Sequence, residues 1–216
     1  MTRLILLRHG ESITNLTGIG TGQTDVPLTE KGYRQAELAA KYLLEHEKID
    51  VICSSDLQRT VNTALPTAKA LGLEIKKYAA LREMDIGEWV GLSTKERIEK
   101  YPTESKIFAE NFSTLRFPGG EYVPDVYDRV SKCVGEIAEE NDGKTVLIAT
   151  HAGAIRVFTA FAKGYSRTES GATKGCDNAA INVFGWDGGK AFPIELNIVS
   201  HLAAQSSAVA TEAERI

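Results

Sequence analysis

The chain has 216 residues, long enough to bury a sizeable core, and its 43% hydrophobic and 25% charged residues are ordinary for a soluble globular protein. Lysine and arginine number 25 against 29 aspartates and glutamates, a formal charge of -4 that argues against a general nucleic-acid or membrane-surface binder. Three scattered cysteines, Cys53, Cys133 and Cys176, make no CxxC pair and point to a reducing cytoplasm, while MTRLILLRHG meets charge too early for a signal peptide or a membrane span.

Residues 3–7 (RLILL) read as a short strand apolar on both faces, the kind found in the middle of a parallel sheet. From Thr29, TEKGYRQAELAAKYLLEH carries Ala36, Leu38, Ala39, Tyr42, Leu43 and Leu44 at helical spacing. DVIC (50–53) reads as a second strand, SSDLQRTVNTALPTAKALG as a helix kinked at Pro66 and closed by Gly72, and LEIKK as a third strand. Between residues 82 and 121 the pattern loosens into an excursion with two short helices, a length that compact domains use for lids or binding loops. Residues 122–141 form a helix with Val126, Val130, Val134 and Ile137 on one face, KTVLIATHAG runs from strand into loop, and AIRVFTAFAKG is the next helix. AAINVFGW and AFPIELNIV straddle the turn DGG as a hairpin, and the tail SSAVATEAERI, without turn or strand signals, reads as peripheral or frayed. Strands alternating with helices predict one α/β domain with a mostly parallel sheet and an insertion.

In an open parallel sheet, ligands bind beyond the carboxyl ends of the strands. RLILLRHG and TVLIATHAG each end in a histidine followed by small residues, His9-Gly10 and His151-Ala152-Gly153. One such histidine is most often structural; two at the carboxyl edge of one sheet point to a site. SSDLQRT puts Arg59 about one turn into the following helix, so Arg8, Arg59, His9 and His151 converge as cationic or donor groups. Their mutual repulsion calls for an anion, and phosphate suits it because guanidinium forks match its oxygens and stay charged at any accessible pH. A tetrahedral metal would want further ligands and would be repelled by the arginines, so no metal is expected. GIGTG (18–22) imitates part of a dinucleotide fingerprint but does not lie between a strand and a helix start.

LLRHGESITN, SDLQRT, LREMDIGEWVG and ATHAG, in this order, resemble the histidine phosphatase superfamily, also called the phosphoglycerate mutase-like proteins. With LNIVSHL the resemblance spans residues 4 to about 202. It implies one domain over residues 1–216, a three-layer α/β/α fold with a mostly parallel central sheet and one antiparallel edge strand. It implies His9 as a nucleophile that forms a phosphohistidine later hydrolysed by water, with Arg8, Arg59 and His151 stabilising the transferring phosphoryl group. Glu83 matches the family acid/base, and Asn15, Thr21, Gly22 and the amide of Ala152 match its substrate contacts. No cofactor is implied. For Asn15 and Thr21, local capping or turn hydrogen bonds are the competing use. Asp85 and Glu88 rival Glu83, His46 reads as exposed and His201 as structural.

Cofactor-dependent mutases of this family carry an adjacent Arg-Arg pair in the excursion and a tyrosine soon after the acid/base glutamate. Here Arg82, Arg97 and Arg116 are not adjacent and Ile86 takes the tyrosine's place, which favours the phosphatase branch. The expected function is hydrolysis of a small phosphorylated metabolite in the cytoplasm, with no nucleic-acid or membrane partner. The alternatives are a cofactor-dependent phosphoglycerate mutase and a non-catalytic phosphate-binding module, and the complete set Arg8, His9, Arg59, Glu83 and His151 speaks against the latter. Leu115, Phe117, Tyr122 and Phe108 either wall the pocket or pack the excursion onto the body, and the place of Asn178 is open. Gly10 is read as keeping a side chain out of the pocket. A strand from AAINVF or AFPIEL offers an edge for a homodimer.

Overall fold

The structure is a computed structural model that describes residues 1–203, so the tail SSAVATEAERI lies outside the described residues. Six strands among those residues, β1 (Thr2–Arg8), β2 (Val51–Ser54), β3 (Ile75–Lys77), β4 (Thr145–Thr150), β5 (Ile181–Asp187) and β6 (Lys190–Ile198), form one sheet in the order β3-β2-β4-β1-β5-β6. The first four pair in parallel; β5 runs against β1, and β6 turns back along it, so the antiparallel edge is a hairpin.

Helices α2 (Glu30–His46) and α3 (Gln58–Leu71) cover one face, and α6 (Val123–Glu140) and α7 (Ala152–Ala162) cover the other. Side-chain alternation along β1 explains the two layers. Leu4 and Leu6 join Val130, Val134, Val157 and Phe158, whereas Ile5 and Leu7 join Ala39, Leu43, Ala64 and Ala68. All four β1 side chains are fully buried, each worth about 1.5–3 kcal/mol, which is why the strand reads as apolar on both faces. Thr29 starts α2 by accepting the Gly32 N–H, and α3 runs as one helix through Pro66 to stop at Gly72, whose φ of 66° favours glycine. The excursion holds α4 (Thr94–Lys100) and α5 (Pro102–Glu110). A one-turn helix absent from the sequence reading, α1 (Ile13–Thr17), follows the RHG turn. No described helix is long and apolar enough to cross a membrane.

The register of the sheet positions the site. Arg8 pairs with Thr150, the last residues of β1 and β4, so His9 and His151 leave adjacent strands side by side. From there β1 leads to α2 on one face and β4 to α7 on the other, which opens a crevice between them at the carboxyl edge.

Candidate active site

His9 and His151 meet edge to face, their ring centroids 5.3 Å apart, and both are buried. The Nδ1 of His9 lies 2.7 Å from the carbonyl of Gly10. A carbonyl only accepts, so Nδ1 carries the proton and Nε2 keeps its lone pair. Burial, with Arg59 and Arg8 adding to it, pushes the His9 pKa down to about 3, so the imidazole stays neutral well below its ordinary titration range. Burial likewise holds the His151 pKa well below the ordinary value, reinforced by Arg59 and His9. His151 Nε2 is 3.0 Å from Ser55 Oγ, and its Nδ1 is buried without a hydrogen-bond partner. Ser55 stands just past β2 and is a site neighbour that the sequence reading passed over.

Gly10 has a different role from the one expected. A Cβ there would stand 2.4 Å from the carbonyl oxygen of Gly32 in α2, and a Cβ on Gly32 would stand 2.1 Å from that of Glu11. The two glycines let the RHG turn lie directly on the helix, backbone to backbone. Its N–H donates to Thr63 Oγ1, while the His9 carbonyl accepts from Ala179 N–H and Asn178 Nδ2. Asn178 therefore braces the turn. Ala179 does so with a φ of 55°, a left-handed conformation uncommon for a side-chain-bearing residue.

Arg59, 2% exposed, lies in the first turn of α3 and donates to the carbonyls of Thr24 and Gly22 at 2.8 and 2.9 Å. Arg8 donates from Nη1 to the Cys176 carbonyl, and its Nε is buried without a partner. Glu83 reaches the start of α7, where Gly153 N–H donates to Oε2 at 3.2 Å and Met84 N–H to Oε1 at 3.0 Å. Its rivals are engaged elsewhere, Asp85 with the Gly87 N–H and Glu88 with the Tyr101 hydroxyl. Sequence reasoning missed the brace behind Glu83. Arg129 of α6 donates to the carbonyls of Ala80, Arg82 and Glu83 and makes a two-pronged ion pair with Glu121, whose Oε2 also takes the Asp85 N–H. Burial raises the Glu121 pKa, but the Arg129 and Asp85 hydrogen bonds outweigh it and the net direction is down. The available signal was an arginine beside the buried stripe of Val126 and Val130.

Asn15 Oδ1 caps α1 by accepting from Ser12 N and Oγ, and it also accepts from Asn178. The Thr21 hydroxyl donates to that of Thr14, and Gly22 holds Arg59 through its carbonyl. Ala152 opens α7, where its N–H has no acceptor within the helix. Of the excursion aromatics and aliphatics, Leu115 is core, while Phe108 and Phe117 line a cavity of about 280 Å³ that also touches Gly22, Glu83, Ala152 and Gly153. Among the described residues, no group of three His, Cys, Asp or Glu is placed to hold a metal.

A buried neutral imidazole with an unprotonated Nε2, in contact with His151 and under the influence of Arg59 and Arg8, suits a site that handles phosphoryl groups. Known proteins narrow that class. The sequence profile of the histidine phosphatase superfamily (branch 1) matches residues 4–199. Phosphoserine phosphatase 1 of Hydrogenobacter thermophilus is 36% identical over 202 residues, covering 94% of this chain and 95% of that protein. Glucosyl-3-phosphoglycerate phosphatase of Mycobacterium tuberculosis is 34% identical over 167 residues, covering 73% and 74%. The solved structure of YhfR from Bacillus stearothermophilus superposes with a TM-score of 0.87 at 28% identity, over 94% of this chain and 100% of that one. The chain belongs to the histidine phosphatase superfamily, and it is a phosphomonoester hydrolase of small phosphorylated metabolites.

Proposed function

We propose that His9 is the nucleophile and Glu83 the acid and base of this hydrolysis. The observation that supports the assignment is the uncharged His9, its Nε2 unprotonated, standing among buried donors that have no partner, Arg8 Nε and His151 Nδ1. A phosphate bound there takes hydrogen bonds from both, from Arg59 and from the Ala152 N–H. Because Ser55 Oγ accepts from the Leu57 N–H, its own hydrogen is available to His151 Nε2, which leaves Nδ1–H as the donor.

In the first step His9 Nε2 attacks phosphorus, the bond from phosphorus to the ester oxygen breaks, and Glu83 gives its proton to the departing oxygen. In the second, Glu83 takes a proton from water, the water oxygen attacks phosphorus, and the phosphorus–nitrogen bond breaks to release inorganic phosphate. Arg8, Arg59 and His151 stabilise the charge on the non-bridging oxygens in both steps. Asn15 contacts substrate through Nδ2, its Oδ1 being occupied by the cap, with Thr21 and Gly22 as the further substrate contacts of this reading.

The reading includes a single domain over residues 1–216, a cytoplasmic setting supported by three free cysteines, no nucleic-acid or membrane partner, and a homodimer through the β6 edge. The test is acid-quenched turnover of a labelled aryl phosphate. Label on His9 in wild type, with neither label nor turnover in His9→Ala, supports the reading, and equal turnover by the variant overturns it. Efficient isomerisation of 3-phosphoglycerate in the presence of 2,3-bisphosphoglycerate, with little phosphate released, would place the chain with the mutases.

A further inference from the structure

The cavity beside Glu83 contains two cations that the hydrolytic steps leave unused. Arg97 borders it from α4 and Arg156 from α7. The Arg156 guanidinium carbon lies 3.8 Å from the ring centre of Phe112, and that of Arg97 lies 5.2 Å from the ring centre of Trp89. Phe108 contacts both rings, 5.7 Å from Trp89 and 5.8 Å from Phe112, so the two guanidinium groups border one aromatic wall of the cavity.

Each guanidinium donates one hydrogen bond, Arg97 to Thr94 Oγ1 and Arg156 to the Gly171 carbonyl, and each has its Nε buried without a partner. Neither forms an ion pair with any described carboxylate. Burial lowers the pKa of both. Two partly desolvated cations without a counterion are unfavourable unless an anion joins them. The chain carries 29 acidic groups against 25 basic ones, so acids to pair with are not scarce.

We propose that Arg97 and Arg156 bind a second anionic group, a carboxylate, on the alcohol portion of the phosphate ester. The inference rests on the phosphatase reading of the adjoining site and names its substrate class, phosphorylated hydroxy acids. Glu83, where the leaving oxygen must be protonated, lines the cavity together with Gly153, and its walls at Ile86 and Phe117 are apolar. About 280 Å³ admits a short carbon skeleton with the carboxylate turned toward the arginine forks. The adjacent arginine pair of the mutases is absent from this sequence; these two arginines come from helices far apart in it.

The experiment compares two matched pairs of esters, phosphoserine against phosphoethanolamine and 3-phosphoglycerate against glycerol 3-phosphate. Wild type prefers the carboxylate member of each pair in kcat/KM by on the order of 10- to 100-fold. Arg97→Met and Arg156→Met each lower that ratio by about tenfold. If either variant fails to fold, inhibition of wild-type aryl phosphate turnover by glycerate, compared with glycerol, gives the same information, and glycerate alone should compete. A wild-type ratio near one with all four esters hydrolysed overturns this inference and leaves the phosphatase reading standing. So does a ratio that both folded variants preserve. No turnover of any ester, aryl phosphate included, overturns both.

Discussion

Replacing Gly153 by alanine isolates the placement of Glu83 from the stability of the fold. A Cβ at residue 153 would stand 2.3 Å from Glu83 Oε1 and 2.8 Å from Met84 Cε. Contacts between non-bonded heavy atoms settle near 3.5 Å, so the carboxylate must retreat by about 1 Å. The obstructing atoms are the ends of flexible side chains, so the backbone has no need to move. Alanine in the first turn of α7 replaces the weaker helix former and is worth up to about 1 kcal/mol in the variant's favour. A misplacement of about 1 Å at a reacting group costs on the order of 100-fold in rate. Gly153→Ala is therefore expected to keep or raise the melting temperature while kcat/KM for an alkyl phosphate falls about 100-fold. An aryl phosphate with an acidic phenol needs less help from a general acid and should lose less. In a Glu83→Gln background the same substitution should add nothing, because its effect runs through the carboxylate. Full alkyl phosphate activity in Gly153→Ala, or an undiminished loss in the Glu83→Gln background, refutes the role given to Glu83.

The His9 imidazole should titrate near 3 by NMR rather than near its ordinary 6.5, and an acid limb of kcat/KM that follows His9 protonation at the ordinary value contradicts the burial argument. Because the folded pKa lies below the unfolded one, stability is fully present above about pH 6.5 and is lost as pH falls toward 3; chemical denaturation across that window measures it. Gly10→Ala drives a Cβ against the Gly32 carbonyl, backbone rather than a flexible side chain, and should lower both melting temperature and activity, unlike Gly153→Ala. Arg129→Met strands Glu121 and three carbonyls, at an expected cost of about 2–4 kcal/mol in denaturant titration. In that variant kcat should fall more than KM rises, and Arg129→Lys should restore part of the stability but little of the alignment.

Most of the architecture was legible because β1 and β4 are apolar on both faces and their neighbours carry a helical period. Each histidine could be assigned to the carboxyl edge from the strand that precedes it. Their contact required the Arg8 to Thr150 register, which depends on how two segments far apart in sequence pair, and no local pattern encodes that. The role of Gly10 was misjudged for a similar reason. Its constraint comes from Gly32, a residue of another helix, whereas the sequence shows only a glycine in a turn. α1 escaped notice because a single turn capped by Ser12 and Asn15 is too short to show a period. Arg129, Ser55 and Arg156 were invisible as site residues because their meaning lies in the carbonyls, rings and imidazole they face across the fold.

The hydrogen bond from His9 Nδ1 to the Gly10 carbonyl has a consequence for the identity of the intermediate. On the proposed assignment of His9 as nucleophile, a committed Nδ1 leaves Nε2 as the one ring position that takes the phosphoryl group, and the covalent enzyme is expected to be a single positional isomer, the Nε2-phosphoramidate. Isomer-selective antibodies against phosphohistidine would distinguish it from the Nδ1 form. Two successive in-line displacements through that one nitrogen also invert phosphorus twice, so an isotopically chiral ester transferred to an acceptor alcohol would emerge with its configuration retained.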